Sequence, residues 1–183
     1  AGDSLMNIRT IMQLGLLLAA VVVADPAGAQ CAGSNENAFV PASTPSEDFI
    51  AQDDGTLLHR PSRRVWQRCA LGQSWDGTTC TGSATRLSWS AALTAAESHV
   101  QAGFDDWRLP NRNELASLIE DRCFGPAVNV VAFPAAPNDA YWTGSPVTDG
   151  IEQAWRIDFV DGLIEPASTG TLLVVRLVRG GPW

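Results

Sequence analysis

The sequence predicts an α+β domain in which two helices pack on antiparallel strands and two disulfides staple the whole. Three observations carry this. Two helix starts, at Ser88 and Asn111, open segments with apolar residues at helical spacing. After Cys123 the texture changes to short alternating segments punctuated by Gly, Pro, Asn and Asp, as in a strand meander. Four cysteines, an even count, all lie in the body of the chain.

Taken in chain order, Met6-Asn7-Ile8-Arg9 is a short basic region and Ile11 to Ala24 an apolar run. Ala27-Gly28-Ala29 then offers small residues for cleavage. Residues 1–29 are therefore expected to be upstream residues plus a secretory signal peptide, with Gln30-Cys31 as the new N-terminus. The run is too short for a comfortable transmembrane helix of ~20 residues, so no stable membrane anchor is expected. Gln30 before Cys31 disfavours lipidation. Residues 30–48, rich in Ser, Asn, Pro and Glu from Gly33 on, read as a flexible lead-in. The folded domain is expected over 49–183.

Asp53-Asp54-Gly55 is a turn, followed by a strand at Thr56 to His59 and another at Arg64 to Arg68, with Arg60-Pro61-Ser62 at the hairpin tip. Ser88 caps a helix running to about Ala102, with Trp89, Leu93, Ala96 and Val100 on one face and Gly103 ending it. Pro110 stops a strand-like approach, and Asn111 then caps a second helix, Arg112 to Arg122. Glu114, three residues after the cap, can reach back to it as a capping box. Leu115, Leu118 and Ile119 share its apolar face. Strands follow at Tyr141 to Ser145, Gln153 to Val160 and Leu172 to Val178. Trp155, Ile157 and Phe159 fall on one face of the middle strand, and Asp161-Gly162 makes a hairpin turn. In the last strand Val175 and Leu177 point inward and Arg176 and Arg179 outward.

Four cysteines allow three connectivities. Cys69–Cys80 is favoured because Trp75-Asp76-Gly77 turns the loop between them, which leaves Cys31–Cys123. No C-x-x-C or C-x-x-H spacing suggests a metal cluster. The 183 residues carry 12 basic and 20 acidic side chains, for a net charge of −8, and every basic residue is arginine. Cleavage after Ala29 would remove Arg9, Asp3 and Asp25, leaving 11 against 18 and a charge of −7. No nucleic-acid partner is expected, since the acidic chain has no basic stripe to neutralise phosphates.

Several ordered motifs go further. Val65-Trp66-Gln67-Arg68-Cys69, Trp75-Asp76-Gly77-Thr78-Thr79-Cys80, Trp107-Arg108-Leu109-Pro110, Phe133-Pro134 and Tyr141-Trp142-Thr143-Gly144-Ser145 stand in this order. Ala154-Trp155 with Phe159, Asp161-Gly162 and the Val175-to-Gly181 ending complete the series. From about Gly55 to Gly181 the chain resembles the Lcl C-terminal domain family, a domain of unknown function at the end of collagen-like adhesins and in many bacterial secreted proteins. The resemblance implies a C-type-lectin-like fold, distantly similar to formylglycine-generating enzymes. Some adhesin members are thought to bind sulfated polymers, which the acidic charge here opposes.

Catalysis is not signalled. His59 and His99 stand in no motif, and the nucleophile elbow, the zinc-helix pair and the phosphate loop are all missing. The oxidation chemistry of formylglycine-generating enzymes is implied to need a C-terminal cysteine pair, and nothing after Cys123 is a cysteine. For sugar binding through calcium, Glu165-Pro166-Ala167 lacks the third ligand residue. Asp53-Asp54, Asp105-Asp106 and Asp158 with Asp161 can each hold a hard cation, so calcium is possible, but neither it nor any other cofactor is predicted. Of seven tryptophans, Trp75 and Trp183 are expected exposed and the rest buried. Arg108 reads as a buried, paired structural arginine.

What remains for function is the solvent face of the C-terminal meander: Glu152, Arg156, Asp158, Asp161 and Glu165, with the loop Thr148-Asp149-Gly150. The expectation is an exported, non-catalytic binding or adhesion module that recognises an extracellular glycan or protein there. A retroelement-diversified display protein with a variable C-terminal face is the alternative that the fold suggests.

Overall fold

The computed structural model describes residues 30–148 and 152–180. The expected signal segment, Asp149-Gly150 and Trp183 lie outside the described residues. Among the described residues, two larger sheets, a two-stranded ribbon and two short α-helices form the α+β layout predicted, and both disulfides, Cys31–Cys123 and Cys69–Cys80, are paired as expected.

The first sheet joins β1 (Phe49–Ala51), β2 (Thr56–His59) and β3 (Arg64–Gln67) as an antiparallel meander, and the last strand, β11 (Val178–Arg179), closes it beside β3. Its first turn forms because Gly55 takes φ +78°, while Asp54 Oδ1 accepts from the Thr56 amide (3.0 Å) and hydroxyl (2.6 Å). A two-strand ribbon, β4 (Ser74–Trp75) and β5 (Cys80–Thr81), carries the shorter disulfide. The second sheet has the order β6 (Arg86–Leu87), β10 (Leu173–Val174), β7 (Ala140–Pro146), β8 (Gln153–Asp158), β9 (Leu163–Ser168). The β10–β7 pair is parallel and the rest are antiparallel.

Helix α1 (Trp89–Glu97) starts at its Ser88 cap, as read from the sequence, but stops a turn and a half early. The Ser98 hydroxyl donates to the Thr94 and Ala95 carbonyls, and Gln101 and Phe104 then exchange backbone bonds across a tight turn with Ala102 and Gly103 at positive φ. Val100 is consequently exposed. Helix α2 (Arg112–Ala116) has the full capping box between Asn111 and Glu114. It too is shorter than expected, because the chain beyond it bends to pair with residues 127–128: the Glu120 amide donates to Ala127 O, and Ile119 bridges Val128.

The second sheet is covered on both faces, which splits the core in two. Leu57, Trp66, Leu115, Leu118, Phe133, Tyr141 and Ile157 fill one side. Ala92 and Ala96 of α1, with Trp107, Trp142, Ala154 and Leu177, fill the other. Double coverage corrects the expected one-sided pattern of β8: Ala154 and Ile157 are both buried, whereas Trp155 is only half-buried under the Arg112 guanidinium, 4.8 Å from its ring.

Two further corrections follow from packing. Arg176 was expected to face outward but is 3% exposed. Its guanidinium donates to the carbonyls of Gln67 (2.8 Å) and Arg68 and lies 4.5 Å from the Phe133 ring. Residues 30–48 are laid against the body instead of hanging free. Glu120, fully buried, accepts from the Thr44 amide (2.7 Å) and hydroxyl (2.9 Å), the Ser43 amide (3.0 Å) and Gln30 Nε2 (2.8 Å). Asn129 donates to Thr44 O.

Candidate functional site

The β8–β9 hairpin places the expected surface residues by register. Arg156 stands opposite Glu165, and Asp158 opposite Leu163, so all four side chains rise from one face of the edge pair. Arg156 donates Nη2 to Glu165 Oε1 and keeps Nη1 3.5 Å from Asp158 Oδ2. Asp158 also accepts from the Val160 amide (3.0 Å), and Asp161 from the Leu163 amide (3.2 Å). Both carboxylates therefore hold the turn in shape. Gly162, at φ +82°, completes it; a Cβ there would come within 3.0 Å of Ile119.

The structure thus brings Arg156, Asp158 and Glu165 together, with Asp161 in the adjoining turn. Glu152 does not join them. It precedes the other end of β8, roughly 13 Å from Arg156 at strand rise, where its carbonyl accepts from Thr169. Beside the charged trio two apolar side chains are exposed, Leu163 on the same face and Val160 in the turn, whereas exposed Ile164 pairs with Ile157 and points to the other face. β9 is a sheet edge, but Pro166 deprives it of one backbone donor, which blunts pairing with a foreign strand. Among the described residues no group of three or more His, Cys, Asp and Glu is placed to hold a metal ion.

Ion pairs elsewhere brace the scaffold. Glu114 receives Arg64 Nε (2.7 Å), both terminal nitrogens of Arg108 (2.7 and 2.9 Å) and the Asn111 amide (2.7 Å). Burial, the largest single influence, pushes its carboxyl up. Arg108, the Asn111 amide and Arg64 together outweigh burial and hold it at about 2. Arg108 is the paired structural arginine the sequence suggested, although a quarter of its side chain stays exposed.

One concave feature has no motif to mark it, because its residues come from three separate segments. A cleft of about 400 Å³ lies between the Asp53–Gly55 turn, the Gln67–Trp75 stretch and the end of α1. Its floor is Gln67, 3% exposed, whose amide nitrogen lies 2.7 Å from both Gln101 Oε1 and His99 Nε2, and whose oxygen accepts from the Leu177 amide. Trp75 forms a wall, pinned by Arg68, whose guanidinium lies 4.1 Å from its ring, and by the close approach of Gly55. Trp75 is therefore half-buried, not free as expected.

Architecture and site together define a disulfide-stapled α+β domain whose surface carries charged pairs beside exposed apolar side chains. Within that class, the profile of the Lcl C-terminal domain matches residues 55–179, and the chain belongs to that family. No curated protein matches it. Two disulfides are compatible with an exported chain, and among the described residues no helix is long and apolar enough to cross a membrane.

Proposed function

We propose that this is an exported, non-catalytic binding module that recognises an extracellular partner, protein or glycan, through the β8–β9 face, on a C-type-lectin-like scaffold. The observation that carries the reading is the exposed pair Val160 and Leu163 set beside the Arg156–Glu165 and Arg156–Asp158 pairs. Apolar side chains beside charge on a rigid hairpin are the composition of a recognition patch, and they favour a protein partner over a sugar. The reading needs no metal and no redox step; all four cysteines are spent in disulfides, which leaves no thiol for formylglycine-type oxidation.

The test is an array of cell-surface proteins and glycans probed with the oxidised chain, with and without a chelator. Binding to a protein partner should survive chelation. It should fall more than tenfold in the double charge reversal Arg156→Glu/Asp158→Arg and in Leu163→Asp. Undiminished binding by both variants would overturn the reading.

A further inference from the structure

The cleft beneath Trp75 is lined by no residue of β8 or β9 and plays no part in the reading above. Its polar groups divide into those already spent and those still available. Both donors of the Gln67 amide are committed to Gln101 and His99, and its oxygen to Leu177. Gln73 is likewise tied, accepting from Ala70 and donating to Ala135. These bonds fix the floor.

What remains faces the opening. Gln101 Nε2 has only a long 3.4 Å contact with Gly55 O, which a better acceptor would displace. The exposed Asp53 carboxylate has no partner among the described residues, and Asp54 accepts through one oxygen. The Ser74 hydroxyl adds a group that both donates and accepts. The cleft therefore offers the Gln101 amide donor and two carboxylate acceptors in one lining, against an indole wall held in one place.

We propose that this cleft is a second ligand site, built for a small neutral polyol such as a single sugar ring. Vicinal hydroxyls donate and accept together, which is what a carboxylate beside a carboxamide can satisfy at once. Two rim carboxylates repel anions. The polar floor gives no return for an apolar ligand, which would strand it without water. At ~30 Å³ per water the cleft holds the equivalent of about thirteen waters, room for one sugar ring together with some of the water around it. Fixing Trp75 in advance, through Gly55 and Arg68, removes an ordering cost from binding.

The experiment is a titration of the isotope-labelled full chain, followed by NMR, with methyl glycosides of glucose, galactose, mannose and N-acetylglucosamine, and with tetramethylammonium and sulfate as charged controls. At least one glycoside should shift the Gln101 side-chain amide and the Trp75 indole N–H saturably. Asp53→Ala and Gln101→Ala should each weaken that binding about tenfold, the value of one or two hydrogen bonds. Asp53 is exposed and unpaired among the described residues, so its variant keeps the fold and the test stands even if Gln101→Ala does not fold. Shifts from tetramethylammonium or sulfate alone, shifts confined to the β8–β9 hairpin, or silence across the whole glycoside panel would each overturn the proposal.

Discussion

Replacing Glu114 by Gln is the sharpest probe of how the scaffold is held. The carboxylate accepts four hydrogen bonds, three of them from guanidinium groups, and its side chain is 4% exposed. Its carboxyl titrates at about 2, against 4.5 for the free group. At 1.36 kcal/mol per pH unit that gap caps the contribution at about 3.4 kcal/mol. Arg64 and Arg108 keep 18% and 25% of their side chains in solvent, and the screening that follows brings the figure to about 2 kcal/mol. Because the folded value lies below the unfolded one, the ionised form stabilises the fold. The contribution is complete above pH 4.5 and is lost as pH falls toward 2. A protonated Glu is nearly isosteric with Gln, so wild type and Glu114→Gln should differ by about 2 kcal/mol at pH 7 and converge near pH 2. Urea unfolding across that range, with both disulfides intact, measures the gap. A gap below about 0.5 kcal/mol at pH 7, or one that persists unchanged to pH 2, would refute the assignment of Glu114 as the electrostatic clasp.

Two other perturbations separate the remaining supports. The disulfides span 92 and 11 residues, so in the chain-entropy account removing Cys31–Cys123 should cost about 4.5 kcal/mol and Cys69–Cys80 about 3 kcal/mol; denaturant midpoints of the paired Cys→Ala variants check the order. Arg176→Met fills the volume but strands the Gln67 and Arg68 carbonyls, so it should destabilise by about 2–3 kcal/mol, and a neutral or stabilised variant in the same assay would contradict that accounting.

Local chemistry was readable where it was self-contained. The Asn111–Glu114 box, the Ser88 cap, the Asp161-Gly162 turn and the Cys69–Cys80 loop all close within a dozen residues, and each is present. Helix ends were not readable. Nothing near Glu120 announces that its carboxylate is claimed by Ser43 and Thr44, some 76 residues away in sequence, and that claim accompanies the bend that cuts α2 short. Alternation failed at Arg176 for a related reason. An arginine between two apolar residues reads as outward only if one face of the strand meets water, whereas here the first sheet turns its carbonyls toward it.

The same contrast bears on where function can reside. Long-range polar bonds in this chain converge on groups that are fully satisfied: Glu114, Glu120, Asn129 and Arg176 each end in fixed partners. Such groups stiffen the scaffold and have nothing left to offer a ligand. The hairpin face offers exposed apolar surface around pairs that water already weakens, and the cleft offers an unpaired carboxylate beside a poorly bonded amide. Both lie on short, rigid connections held by the disulfides and the β-ladders. Changing Leu163 on the hairpin or Asp53 at the cleft, neither of which braces the scaffold, should therefore alter binding while leaving stability nearly untouched, whereas changing Glu114 or Arg176 should do the reverse.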